Sequence, residues 1–132
     1  MSLSPAEDLP KSQRIAKRRD FLRAYEQGVK LFGRFVVVFA MPNGLGHPRI
    51  GVTATRKIGK AHDRNRLKRW VREVYRRRRT PLGLDQAPFD FVVNLKGKAA
   101  EAVFSDFSRD LERALRRAHE DARKRSTEEG TR

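Results

Sequence analysis

Phe21, Ala24 and Tyr25 recur at helical spacing within residues 17–27, and Gly28 follows as a stop, which predicts a first helix. Residues 29–41 then become rich in Val and Phe. Gly33 separates a short apolar piece from the run Phe35-Val36-Val37-Val38-Phe39, so the stretch reads as two strands or one bent strand. Turn chemistry fills residues 42–48. Beyond it Ile50, Val52 and Ala54 alternate within 49–55, the pattern of a hairpin partner for the strand before the turn. Gly59 breaks the alternation ahead of a second helix over residues 61–78, with Asp63 suited to its N-cap or first turn and Pro81 and Gly83 as its stop. Residues 89–95 return to a period of two, Phe89, Phe91, Val93 and Leu95 on one face and Asp90, Val92 and Asn94 on the other. A last helix over residues 99–122 gathers Val103, Phe104, Phe107, Leu111, Ala114, Leu115 and Ala118 into one stripe and supplies the main core face.

The element order α-β-β-β-α-β-α predicts an α+β fold with a single sheet of about four strands. With 132 residues, 38% of them hydrophobic, the chain fills one domain over residues 12–122. Residues 1–11 hold Pro5 and Pro10 and no apolar period, and read as a disordered segment. Residues 123–132 read as a polar tail, with fraying from His119 onward. No internal repeat is present.

Charge changes this picture of an ordinary small domain. Lys and Arg number 31 against 16 Asp and Glu, a net charge of +15, which calls for a polyanionic partner. Nucleic acid fits best, because phosphates release condensed counterions to clustered Lys and Arg. Between Arg56 and Arg79 stand twelve Lys or Arg against Asp63 and Glu73, so two thirds of the excess lies there. On the second helix Leu67, Trp70, Val71, Val74 and Tyr75 form the docking face. Asn65, Arg69, Arg72 and Arg76 line the opposite side, Arg66 flanks it, and Arg64 and Lys68 sit on a border from which they reach past the sheet edge. Arg56, Lys57 and Lys60 on the preceding loop extend the patch. A solvated helix face is normally balanced by carboxylates one turn away, and here that balance is missing.

A second candidate feature is aromatic. Phe21 and Tyr25 lie one turn apart beside Arg18, Arg19 and Arg23, and offer stacking surfaces to unpaired bases. Spacing alone favours plain core packing for them.

Other chemistry is thin. The chain has no cysteine, which excludes disulfides and thiolate zinc sites. His47, His62 and His119 lie far apart without metal-ligand spacing, and Asp63, Glu73, Asp85 and Asp90 are scattered over different elements rather than paired as in a two-metal nuclease. No stretch approaches the roughly 20 apolar residues of a membrane span, and the start of the chain lacks a signal-peptide pattern, so a cytoplasmic protein is expected. A ribosomal-type RNA-binding protein, a stand-alone protein nuclease and, last, a sequence-specific DNA binder remain as rival readings of charge and fold class.

The string RIGVTATRKIGKAHDRNRLKRWVREVY at residues 49–75 strongly resembles the protein subunit of bacterial ribonuclease P. Its marks are the turn Thr55-Arg56-Lys57-Ile58-Gly59, the run Arg64-Asn65-Arg66-Leu67-Lys68-Arg69, and Arg72-Glu73. Asp20-Phe21 with Tyr25 and Gly28, and the strand at 89–95 followed by Lys96, resemble the flanking parts of the family, so that the likeness runs from about Gln13 to Ala118. The resemblance implies a ribosomal-protein-like fold with a left-handed β-α-β crossover, against the right-handed rule for sheets. It further implies a subunit of a ribonucleoprotein endoribonuclease that joins a catalytic RNA and removes the 5′ leader from precursor tRNA. The RNA would hold the chemistry and most of the magnesium, and no catalytic side chain is expected on the protein. Arg56, Lys57, Lys60, Arg64, Asn65, Arg66, Lys68, Arg69, Arg72 and Arg76 would bind the RNA subunit. A cleft between the first helix and one sheet face would take the leader, with Phe21, Tyr25 and Arg18 as its wall and Val38 on the strand floor where the family often places an aromatic. Phe39 is expected on the opposite face.

Overall fold

The computed structural model describes residues 9–85 and 87–130, with side chains described through Glu128. In chain order the elements are helix α1 (Arg18–Gln27), strands β1 (Val29–Phe32), β2 (Val36–Pro42) and β3 (Arg49–Thr53), helix α2 (Ala61–Arg78), strand β4 (Phe89–Leu95) and helix α3 (Phe104–Gly130). They build one four-stranded sheet in the order β1-β2-β4-β3. The two-strand reading of residues 29–41 is the correct one, because Gly33, Arg34 and Phe35 form the turn of an antiparallel β1-β2 hairpin. The buried carboxylate of Asp110 on α3 holds that turn by accepting the amides of Arg34 and Phe35 at 2.9 and 2.8 Å.

The hairpin expected between the second strand and residues 49–55 does not form. β2 pairs antiparallel with β4, and β3 pairs parallel with the far side of β4, so the later strand inserts between the two that the turn connects. The turn chemistry of 42–48 reverses the chain without closing a ladder across itself. β3 and β4 are joined through α2, and the outer edge of β3 is met by the N-terminal segment, where Ile15 N–H donates to Ile50 O at 2.9 Å.

The sheet is covered unequally. One face, with Val36, Val38, Ala40, Ile50, Phe91 and Val93, packs under α2 and α3 in the main core, where Tyr75, Leu67, Phe107 and Leu111 are fully enclosed. The other face meets only α1 in a smaller cluster of Ile15, Ala24, Phe39, Met41 and Val92, with Phe21 and Tyr25 packed against it.

Both chain ends depart from expectation. Met1 to Asp8 lie outside the described residues, but the rest of the segment read as disordered is ordered: Leu9 is 2% exposed in the main core and Lys11–Gln13 make a 3-10 turn. A lone apolar anchor has no period to reveal it. At the other end α3 starts at Phe104, after a 3-10 turn over Gly97–Glu101 and an extended Ala102, and runs on to Gly130 instead of fraying at His119. Ala122 is buried against the core and Arg125 Nη2 donates to the carbonyl of Gln27 at the end of α1, which carry the helix past the predicted stop. Thr131 and Arg132 of the predicted tail lie outside the described residues.

Candidate nucleic-acid interface

α2 begins where the sequence places it. Lys60 is its N-cap without a side-chain cap, and Asp63 lies in the first turn, where a carboxylate favours the positive end of the helix dipole. Gly59 has φ +139, a conformation that disfavours other residues, and a Cβ there would stand 3.2 Å from Asp63 Oδ2. The turn before it, Arg56–Ile58, buries Ile58 and leaves Arg56, Lys57 and Lys60 exposed.

The cations of α2 separate into two sides. Toward α3, the charges are matched: Arg66 lies 3.8 Å from Asp63, Arg77 2.8 Å from Glu73, and Arg78 3.0 Å from Glu112 of α3. Arg76 also approaches Glu73, at 3.7 Å. The guanidinium of Arg66 covers the Trp70 ring at 4.8 Å and donates to Ala100 O at 3.3 Å, so this residue belongs partly to the packing. Toward the outer edge of β3, Arg64, Lys68, Arg69 and Arg72 have no carboxylate partner among the described residues, and Asn65 is exposed among them. Arg64 is braced by a 2.7 Å hydrogen bond to Gly59 O. Arg72 loses some affinity for its proton through burial and through the nearby charge of Arg14, a residue that the sequence did not single out. Like charges held together without an acid make a surface that a polyanion stabilises.

Around the β3 edge lies the sheet face that α1 covers. Phe21 sits over Gly51, where a Cβ would come within 2.8 Å of the ring. Tyr25 meets Phe39 edge-on at 5.0 Å, while its hydroxyl donates to Asn94 Oδ1 at 3.0 Å and lies 3.0 Å from Thr53 Oγ1. These polar contacts hold Tyr25 against the sheet, half-buried, with Arg18 exposed one helix side away. Val38 is not on the floor. It is fully buried on the α2 and α3 face, and Phe39 takes the aromatic position beside Tyr25. All five residues from Val36 to Ala40 are apolar, so the side chains alone carry no alternation to say which face each one takes.

α1 is fixed to the sheet by a charge network that the sequence did not disclose. Arg49 of β3 grips Asp90 of β4 through Nε at 2.8 Å and Nη2 at 2.7 Å, and Nη1 lies 3.6 Å from Asp20 of α1. The hydrogen bond to Asp90, together with the charges of Asp90 and Asp20, raises the guanidinium pKa above its ordinary value. Asn43 adds a 3.0 Å bond to Asp90. The available signal was Asp90 itself, a carboxylate in mid-strand that burial obliges to find a partner.

Among the described residues no group of three or more His, Asp or Glu is placed to hold a metal ion. None of their helices is long and apolar enough to cross a membrane.

The family model for ribonuclease P matches residues 9–119. The ribonuclease P protein component of Syntrophus aciditrophicus is 38% identical over 103 residues, which cover 78% of this chain and 84% of that one. Of the solved structures, the ribonuclease P protein of Thermotoga maritima is similar with a TM-score of 0.70 at 38% identity, over 79% of this chain and 96% of the other. That of Staphylococcus aureus gives a TM-score of 0.74 at 29% identity, over 82% and 96%. A match that runs from the buried Leu9 to His119 takes in every strand of the sheet, and the chain therefore belongs to the ribonuclease P protein family.

Proposed function

We propose that this chain, as the protein component of a ribonuclease P particle in the cytoplasm, binds the catalytic RNA with the β3 side of α2 and receives the 5′ leader of precursor tRNA in the cleft under α1. The observation that carries the reading is the stripe Arg64, Asn65, Lys68, Arg69 and Arg72, which has no internal neutralising acid and turns the sheet edge into the aromatic cleft. Arg56, Lys57 and Lys60 extend that stripe, Arg66 and Arg76 mark its border, and Phe21 and Tyr25 with Arg18 offer bases a stacking wall backed by the buried Phe39. The chemistry belongs to RNA in this reading. That reading assigns the magnesium needed for phosphodiester hydrolysis to RNA phosphates, while the protein contributes by neutralising charge and holding the leader in place.

Adding the chain to ribonuclease P RNA is expected to accelerate removal of the leader at low magnesium. No acceleration there would overturn the proposal in favour of a structural RNA-binding role, and correct cleavage by the protein without any RNA subunit would overturn the division of labour.

A further inference from the structure

Phe32, at the end of β1, is 66% exposed and takes no part in either core cluster. The strand register places it in a row with Val37, Asn94 and Thr53 across β1, β2, β4 and β3. Thr53 and Asn94 meet the hydroxyl of Tyr25 in this row, and half-buried Val37 carries it on from there to Phe32. The neighbouring row, Lys30, Phe39, Val92 and Gly51, lies where Phe21 and Tyr25 come down. Two ammonium groups flank the ring, Lys30 Nζ at 5.0 Å and Lys96 Nζ at 5.9 Å. Lys96 is set in place by a 2.6 Å hydrogen bond to Gly33 O, and Lys30 also covers the Phe39 ring at 5.6 Å.

We propose that Phe32, with Lys30 and Lys96, is a base-stacking station that carries the cleft across the sheet to the β1 edge and holds an unpaired leader nucleotide remote from the cut. The inference rests on the cleft being the leader path. β1 and β3 are opposite edges of the sheet, about 14 Å apart at the usual spacing between strands. α2 and the turn at Arg56–Ile58 follow β3, so the β3 end of the row is the end nearer the RNA face, and Phe32 marks the far end. An aromatic face open to solvent accepts any base, since every base has a π-face, while the two ammonium groups meet the phosphates that come with it. Neither lysine has a carboxylate partner among the described residues. The station therefore rewards leader length rather than leader sequence.

The test uses the particle reconstituted with ribonuclease P RNA, and precursor tRNAs whose leaders lengthen one nucleotide at a time. For the natural chain, affinity is expected to rise in a last step when the leader reaches Phe32, and an abasic nucleotide at that position should cancel the step. Phe32→Ala should lose the step, roughly five- to tenfold in affinity, with short-leader substrates unchanged, and Phe32→Trp should keep it. Retention of the full step by Phe32→Ala, while Phe21→Ala loses leader discrimination, would sink the station and leave the leader path standing. If both variants keep all leader dependence, the leader path itself fails.

Discussion

Gly51 shows how a single absent side chain shapes the interface. A methyl group there would lie 2.8 Å from Phe21 Cε1 and 3.0 Å from Ile15 Cβ, atoms that cannot give way without moving α1 or the N-terminal segment. Gly51→Ala is expected to cost about 1–3 kcal/mol in urea unfolding and to weaken binding of leader-bearing substrate more than of mature tRNA. Unchanged stability would mean that α1 rides higher over the sheet than described. Sequence inspection gave Gly51 no role, because its neighbours in space are 30 and 36 positions away. The exchange of Val38 for Phe39 has a related origin. In a central strand buried on both faces, hydrophobicity stops encoding direction, and only the partner strand's register settles which side chain meets α1.

At the scale of elements, α2 and β4 were the most legible, and for physical reasons. Each is bounded by breakers, Gly59 and Pro81 for α2, and each has a regular period over its whole length. What the helical wheel did not give is the use of the basic residues, since it depends on Glu112 of α3 and Ala100 of the turn before it, far along the chain. The division it creates is testable within one helix. Arg66→Ala should lower stability by about 0.5–1 kcal/mol through loss of the contact with Trp70. Arg69→Ala, at an exposed position, should leave stability within about 0.5 kcal/mol and instead reduce the salt dependence of RNA-subunit binding by about one unit of log-log slope. Unfolding curves and a salt titration separate the two, and an unaltered slope in Arg69→Ala would move the phosphate contacts off this side of the helix.

For the molecule as a whole, stability should depend on pH through one ring packed into the core. His119 of α3 is packed edge-on to Phe89 at 5.4 Å and Phe91 at 6.1 Å, and burial, with the charge of Arg123, lowers its pKa below the usual 6.5. The folded state then binds the proton less readily than the unfolded chain. Its contribution is complete above pH 6.5 and is lost as pH falls through the lowered folded value. Relative to His119→Phe, the natural chain should therefore lose more stability between neutral and mildly acidic pH, which urea unfolding at a series of pH values measures. Parallel curves for the two proteins would show that His119 is not packed as a neutral ring. Charge and the central motif announced an RNA partner early, whereas the network of Asp20, Arg49 and Asp90 that seats α1 became visible only once three distant segments were brought together.

The central position of β4 also bears on how the chain comes to its final form. β2 and β3 are each made before it, yet both take β4 as a neighbour, and among the described residues β3 has no other strand beside it. During synthesis, the β1-β2 hairpin can close locally, but the sheet has to wait until Leu95 has left the ribosome. Through that interval the apolar strand β2 and the cationic helix α2 are both unsheltered. Because the closing step joins strands across a long connection, it is expected to be slow compared with helix formation and nearly all-or-none. A fragment ending before Phe89 should thus behave as a basic, aggregation-prone chain with one hairpin, not as a smaller working protein.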